Sequence, residues 1–204
     1  MVVDDFYTNP DIIREQALKL DYKVPTDKLG YTGLQAQTWQ NKQDYLQRLK
    51  TVMLNPHITC PDRWNGVFRM NTEKSETTGN AMVHTDINEL TAVVYLGKEK
   101  YDGTTFYRTK EHGFRSLSEM NASVKTREGA LELLAELKQN YRNPDYWILD
   151  EAVAYKYNRL VVINGDFFHA PGIVGEQFLT SQEPGGRLIQ VSFLNLPVSI
   201  KHMQ

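Results

Sequence analysis

One short stretch, Ala81-Met82-Val83-His84-Thr85-Asp86, constrains this chain more than any other. An apolar run ends there in His-x-Asp, and a second strand-like run, Leu90 to Leu96, follows at once. In an extended chain, residues two apart share a face, with Cα atoms roughly 6 to 7 Å apart at ~3.3 Å rise per residue. His84 and Asp86 would then aim an imidazole and a carboxylate at one point. That is two thirds of the two-histidine, one-carboxylate set that grips a metal from one side and leaves its other positions open. A third ligand must come from elsewhere, which requires a fold that brings distant strands back to the same place.

The sequence beyond residue 64 has that texture. Short apolar runs separated by turn residues predict strands over Trp64 to Met70, Ala81 to His84, Leu90 to Leu96, Thr104 to Arg108, Val153 to Tyr157, Leu160 to Ile163, His169 to Val174 and Leu188 to Leu194. Asp102-Gly103, Asn158-Arg159, Asn164-Gly165-Asp166 and Gly185-Gly186 supply the turn chemistry. This is the signature of a β-sandwich or barrel. One insertion, residues 116 to 141, interrupts it with a helix from about Arg127 to Tyr141, where Leu131, Leu134, Leu137 and Tyr141 recur at helical spacing.

Ahead of the strands lies helical support. Val2 to Tyr7 reads as a short strand, and Asn9-Pro10-Asp11 opens a helix to about Leu20 with Ile12, Ile13, Ala17 and Leu20 as its buried stripe. A second helix, Asp44 to Leu54, turns Tyr45, Leu46, Leu49, Val52 and Met53 inward. Between them, residues 21–41 read as a long loop and a candidate lid. The expected fold class is mainly β with flanking helices, an α+β arrangement. One domain spans 1–204, with 1–63 as helical support and 64–196 as the β core.

Composition narrows the function class. The chain has 204 residues, 41% hydrophobic and 24% charged, and no apolar run approaches the ~20 residues of a membrane span. Its acidic opening, Met1-Val2-Val3-Asp4-Asp5, is not that of a secretory signal, and a lone Cys60 excludes an internal disulfide. The expectation is a cytoplasmic protein. A net charge of -2 and a pI near 6.2 argue against a nucleic-acid partner.

The third ligand candidate is His169. It follows the hydrophobic run Leu160-Val161-Val162-Ile163, where a strand re-enters the barrel, whereas His57, His112 and His202 lie in polar or terminal surroundings. Arg187 opens the last strand, and the pleat puts it on one face with Ile189, Val191 and Phe193. An arginine aimed with a core face needs an anion, since an unpaired buried charge costs several kcal/mol. Either an acidic small molecule or a carboxylate of the protein would satisfy its planar fork.

With these residues in place, the sequence resembles the Fe(II)- and 2-oxoglutarate-dependent oxygenases of the double-stranded β-helix fold (a jelly-roll, cupin-like barrel), in particular the prolyl-hydroxylase-like branch. The likeness is carried by His84-Thr85-Asp86, Val94-Tyr95-Leu96-Gly97, Asp102 to Tyr107, Asn158 to Ile163, His169 and Arg187 to Phe193. It covers roughly residues 64 to 196, and the opening Val2 to Leu20 also resembles small hydroxylase-like proteins of phage genomes. The resemblance implies that His84, Asp86 and His169 bind Fe(II), that Arg187 and Tyr95 hold the distal carboxylate of 2-oxoglutarate, and that molecular oxygen is the second cosubstrate. The sequence departs from the family pattern in three places. The His169 to Arg187 interval is long, so Gly175 to Gly186 must form an inserted loop. Val191 stands where a hydroxyl residue is common, with Ser192 facing the other way. The 116–141 helix is additional to the minimal barrel.

The implied activity is hydroxylation of a small-molecule, amino-acid or peptide substrate coupled to oxidative decarboxylation of 2-oxoglutarate. Two alternatives stand beside it: a cupin-like metalloenzyme that does not use 2-oxoglutarate, and a catalytically inactive β-helix that serves as a binding module. Arg69, Asn71, Tyr31, Trp39, Arg108 and the Gly175 to Gly186 loop are candidates for substrate contact.

Overall fold

The chain forms two antiparallel sheets with helices on their outer faces. The computed structural model describes residues 1–24, 33–36, 39, 41–71, 83–86, 88–98, 103–172 and 187–197. In order, these form β1 Val2–Val3, α1 Pro10–Leu18, β2 Tyr22–Lys23, β3 Leu34–Ala36, α2 Lys42–Val52, β4 Val67–Asn71, β5 Leu90–Tyr95 and β6 Thr104–Thr109. They continue with α3 Leu117–Ala122, α4 Arg127–Asn140, β7 Trp147–Val153, β8 Leu160–Asn164, β9 His169–Pro171 and β10 Arg187–Leu194. The large sheet has seven strands in the order β1-β8-β5-β10-β4-β3-β2, and the small one has three, β7-β6-β9. Among the described residues the two do not join into one closed sheet.

Three apolar clusters set the layers. The first packs Ala17 of α1 and Tyr45 and Leu49 of α2 against Phe68, Val94, Leu160, Val162 and Leu188 on one face of the large sheet. The second packs Met120, Leu133, Leu134 and Leu137 of α3 and α4 against Trp147, Phe168 and Ala170, on the outside of the small sheet. The third joins Val93, Tyr95, Val161, Ile163 and Ile189 of the large sheet to Phe106 and Val153 of the small one, so the two sheets face each other across it. The alternation is direct: on β8, Leu160 and Val162 point to the helices while Val161 and Ile163 point to the interior. A strand buried on both faces reads as an unbroken apolar run, and Leu160-Val161-Val162-Ile163 is one. Each large side chain fully buried in these layers contributes about 1.5–3 kcal/mol.

Several expectations shift. The strand expected over Val153 to Tyr157 lies earlier, at β7, which pairs with β6 from Thr104↔Val153 to Thr109↔Trp147. Tyr155 has left the sheet by then and stacks on Tyr95 instead. Of the strand expected at Ala81 to His84, only His84 pairs, through an isolated bridge to His169; residues 81 and 82 lie outside the described residues. Trp64 ends a 3-10 turn ahead of β4. Ile12 is exposed on α1, and Leu131 on α4 is exposed while its neighbour Leu133 packs inward. The 21–41 segment, expected as a loop, contributes β2 and β3 to the large sheet, while residues 25–32, with Tyr31, fall outside the described residues, as do 173–186.

Candidate metal centre

His84, Asp86 and His169 come together as the pleat argument requires. One ligand atom from each lies within 4.8 Å of the others. His84 Nε2 is 3.8 Å from Asp86 Oδ1, and His169 Nε2 is 3.4 Å from Asp86 Oδ2. The backbone fixes this convergence: His84 and His169 each donate an amide to the other's carbonyl at 2.9 Å, and the Asp86 amide donates to the Gly165 carbonyl at 2.7 Å.

Neighbouring groups prepare the donors. His169 Nδ1 lies 2.8 Å from the Phe167 carbonyl oxygen. A carbonyl can only accept, so Nδ1 carries a proton and Nε2 is the ring nitrogen turned toward Asp86. The Thr91 hydroxyl donates to Asp86 Oδ2. Burial by itself would raise the Asp86 pKa, but the His169 hydrogen bond, the charges of His169 and His84 and the Thr91 donor outweigh it and hold the group below its ordinary value. Asp86 is therefore an anion at neutral pH, as a ligand must be. His169 is buried and Asp86 mostly so, while the His84 side chain is 43% exposed, which leaves one side of the cluster open. Two imidazoles and a carboxylate with an open side suit Fe(II), or a similar divalent ion, with positions to spare.

Arg187 and Tyr95 meet at a second place. Arg187 is 3% exposed, donates from Nη2 to the Gly103 carbonyl at 3.0 Å, and sits 6.0 Å and 5.8 Å from the ring centres of Tyr95 and Tyr155. Those two rings stack at 4.3 Å. The Tyr95 hydroxyl shares a 2.7 Å hydrogen bond with Thr104 Oγ1. Burial pushes the Tyr95 phenol up, against the pull of the Arg187 charge and the Thr104 hydrogen bond. Ser192 faces the helices, as expected, and accepts from the Gly66 amide; the hydroxyl beside Tyr95 comes from Thr104 on β6.

β5 measures the separation of the two places. Thr91, Val93 and Tyr95 share its interior face, with Thr91 on Asp86 and Tyr95 facing Arg187. Four residues of strand span ~13 Å. β6 gives a similar measure, since the Gly103 carbonyl takes Arg187 while Phe106 pairs with His169 three residues on, ~10 Å away.

A model of the family of unknown function DUF6445 matches residues 1–194. The chain belongs to that family. No curated protein and no solved structure matches it.

Three features of this DUF6445 chain escape sequence reading. Gly165 is packed so closely that a Cβ there would come to 2.0 Å from the Asn88 carbonyl oxygen. Thr91 and Thr104 are ordinary strand residues until the register shows what they touch. His112, which lies in polar surroundings in the sequence, stands with Glu111 and Glu136 in a second, more exposed group, with an ion pair of 3.4 Å from His112 to Glu136. Of the candidates for substrate contact, Trp39 packs edge-on against Phe68 and Tyr45 on the helix side, far from the interior. Arg69 lies over Trp64 and Phe193, and Arg108 is 3.6 Å from Asp150. No helix among the described residues is long and apolar enough to cross a membrane.

Proposed function

We propose that this protein is an Fe(II)- and 2-oxoglutarate-dependent oxygenase built on a double-stranded β-helix. The observation that carries this reading is the pairing of two sites across one interior: a two-histidine, one-carboxylate cluster at one end and a buried arginine with a tyrosine at the other. A metal alone would account for the first site; the buried arginine and tyrosine are what favour an acidic cosubstrate beside it.

The order in which the chain visits the sheets supports the fold reading. β4 is in the large sheet, and residues 83–86 sit beside β9 of the small one through the His84 bridge. The chain then runs β5 large, β6 and β7 small, β8 large, β9 small and β10 large. Eight segments visiting the sheets in this order, with β6 and β7 as the one consecutive pair in the small sheet, are what a double-stranded β-helix wound around the third apolar cluster would require.

Held by His84, Asp86 and His169, ferrous iron would supply oxygen activation and an anchor for the 2-oxo acid end of the cosubstrate. The protein's own groups do the rest. Arg187 receives the distal carboxylate in a desolvated pocket, where a charge-assisted bidentate contact is strongest. Tyr95 and Thr104 fix the geometry of that contact, and Val93, Val161, Ile189 and Phe106 make the space between apolar. In the net reaction one oxygen atom of O2 enters a substrate C–H bond to give an alcohol, and the other enters succinate as carbon dioxide leaves.

Anaerobic titration with Fe(II) and then 2-oxoglutarate tests this. The expected result is the weak visible charge-transfer band of the chelate, and succinate on admission of oxygen. Metal binding without band or succinate would point to a cupin-like metalloenzyme; failure to bind metal would leave a binding module.

A further inference from the structure

We propose that the cleft between β7 and β8 is a binding subsite for a cationic head on an aliphatic stem, of the kind a lysine side chain presents, with Glu151 as the carboxylate that receives it. The proposal names the substrate class and to that extent rests on the oxygenase reading.

The cleft has a volume of about 580 Å³ and a floor of Phe106, Val153, Val161 and Ile163. That size suits an amino-acid-scale ligand. The metal ligands do not line it, but it backs directly onto them. Phe106 pairs with His169, the Phe167 carbonyl at its rim orients the His169 ring, and Ile163 pairs with Thr91, which holds Asp86. A stem lying on this floor is therefore within a side chain's length of the metal cluster.

The acidic wall is delivered by an irregularity in the sheet. Along a regular strand, Asp150 and Glu151 would face opposite sides. Here the register between β6 and β7 slips between Phe106 and Tyr107, so that Phe106 pairs with Glu151 and Tyr107 with Leu149, leaving Asp150 as the extra residue. Both carboxylates consequently line the cleft. Bulges re-aim side chains in this way, often beside functional sites.

The two acids do different work. Asp150 is compensated by Arg115 at 2.8 Å and Arg108 at 3.6 Å. Glu119, also in the lining, accepts from the Arg115 amide. Glu151 makes no ion pair among the described residues. One uncompensated carboxylate against an apolar floor complements an ammonium on methylenes. Phe167, 41% exposed at the rim, adds an aromatic face that a cation favours.

The test is a binding titration of the full chain, followed by heteronuclear NMR shifts, with three probes: Nα-acetyl-lysine amide, the norleucine analogue that keeps the stem without the ammonium, and a blocked Gly-Lys-Gly peptide. The expected result is saturable binding of a lysine probe with shifts at β7 and β8. The norleucine analogue and the E151Q variant should be weaker by about tenfold or more. Tighter binding of the peptide would identify a polypeptide source, and tighter binding of the amide a free amino acid. Equal binding of norleucine and lysine, or of E151Q and wild type, overturns the proposal. The readout needs neither iron nor turnover, so lysine binding by a protein that gives no 2-oxoglutarate band upholds the cleft and removes only the oxygenase reading.

Discussion

The amide of Asp86 donates to the carbonyl of Gly165 at 2.7 Å, and a Cβ on Gly165 would stand 3.2 Å from the Asp86 Cβ and 2.0 Å from the Asn88 carbonyl oxygen. Asp86, the carboxylate of the candidate metal centre, is thus positioned by a contact that admits no side chain. Gly165→Ala must displace backbone at Asn88, and Asp86 with it. Metal affinity should fall at least tenfold, measured by titration of the metal-free protein, with circular dichroism showing the sheets intact. Unchanged affinity would mean that Gly165 only turns the chain.

Thr91 offers a subtler test of the same carboxylate. Its hydroxyl donates to Asp86 Oδ2, and Thr91→Val keeps the shape while removing the donor. Groups that orient a metal ligand are commonly worth 10–100-fold in affinity. A loss of roughly that size, with a small change in melting temperature, is expected in the same titration; a large drop in melting temperature with affinity preserved would make Thr91 a packing residue.

What the sequence reveals and what it hides follows from the range of the forces involved. The meeting of His84, Asp86 and His169 is legible because residue type, the two-residue pleat and the apolar strand ahead of His169 mark each one without knowledge of its partners. The inward aim of Arg187 follows from the pleat of β10, whereas Tyr95 is marked only by the family resemblance. Gly165 and Thr91 acquire their roles only from partners brought by tertiary register, so nothing local marks them. β7 is hidden for another reason. It is an edge strand with Asp150, Glu151 and Ala152 exposed, and its bulge breaks the alternation by which strands are recognised. β2 and β3 are two and three residues long, too short to show any period, and exist because β4 offers an edge.

Cys60 gives a pH prediction outside the site. Burial pushes its thiol up to about 11, against the hydrogen bonds to Ser192 and to the Phe193 carbonyl. Its rate of alkylation by iodoacetamide should therefore rise through an inflection near pH 11 in the folded protein, and near ~8.5 in denaturant. Because the folded pKa is the higher one, this group's contribution to stability is fully present below about pH 8.5 and is lost as pH rises through 11. A folded-state inflection near 8.5 would show that Cys60 is open to solvent.

The proposed 2-oxoglutarate site separates by two substitutions of different size. Tyr95→Phe removes the hydroxyl that shares a 2.7 Å bond with Thr104, leaves the ring stacked on Tyr155, and deprives one buried hydroxyl of its partner. That should destabilise the fold by about 1–3 kcal/mol, read as a lower denaturant midpoint, and weaken 2-oxoglutarate several-fold. Arg187→Lys keeps the charge but loses the planar fork that meets a carboxylate with two parallel hydrogen bonds. Its loss of 2-oxoglutarate affinity should be the larger, while Fe(II) affinity stays near wild type, because the metal cluster lies ~13 Å along β5 from Tyr95. If Arg187→Lys instead lowers iron and 2-oxoglutarate binding together, the arginine braces the interior through Gly103, and the distal carboxylate is held elsewhere.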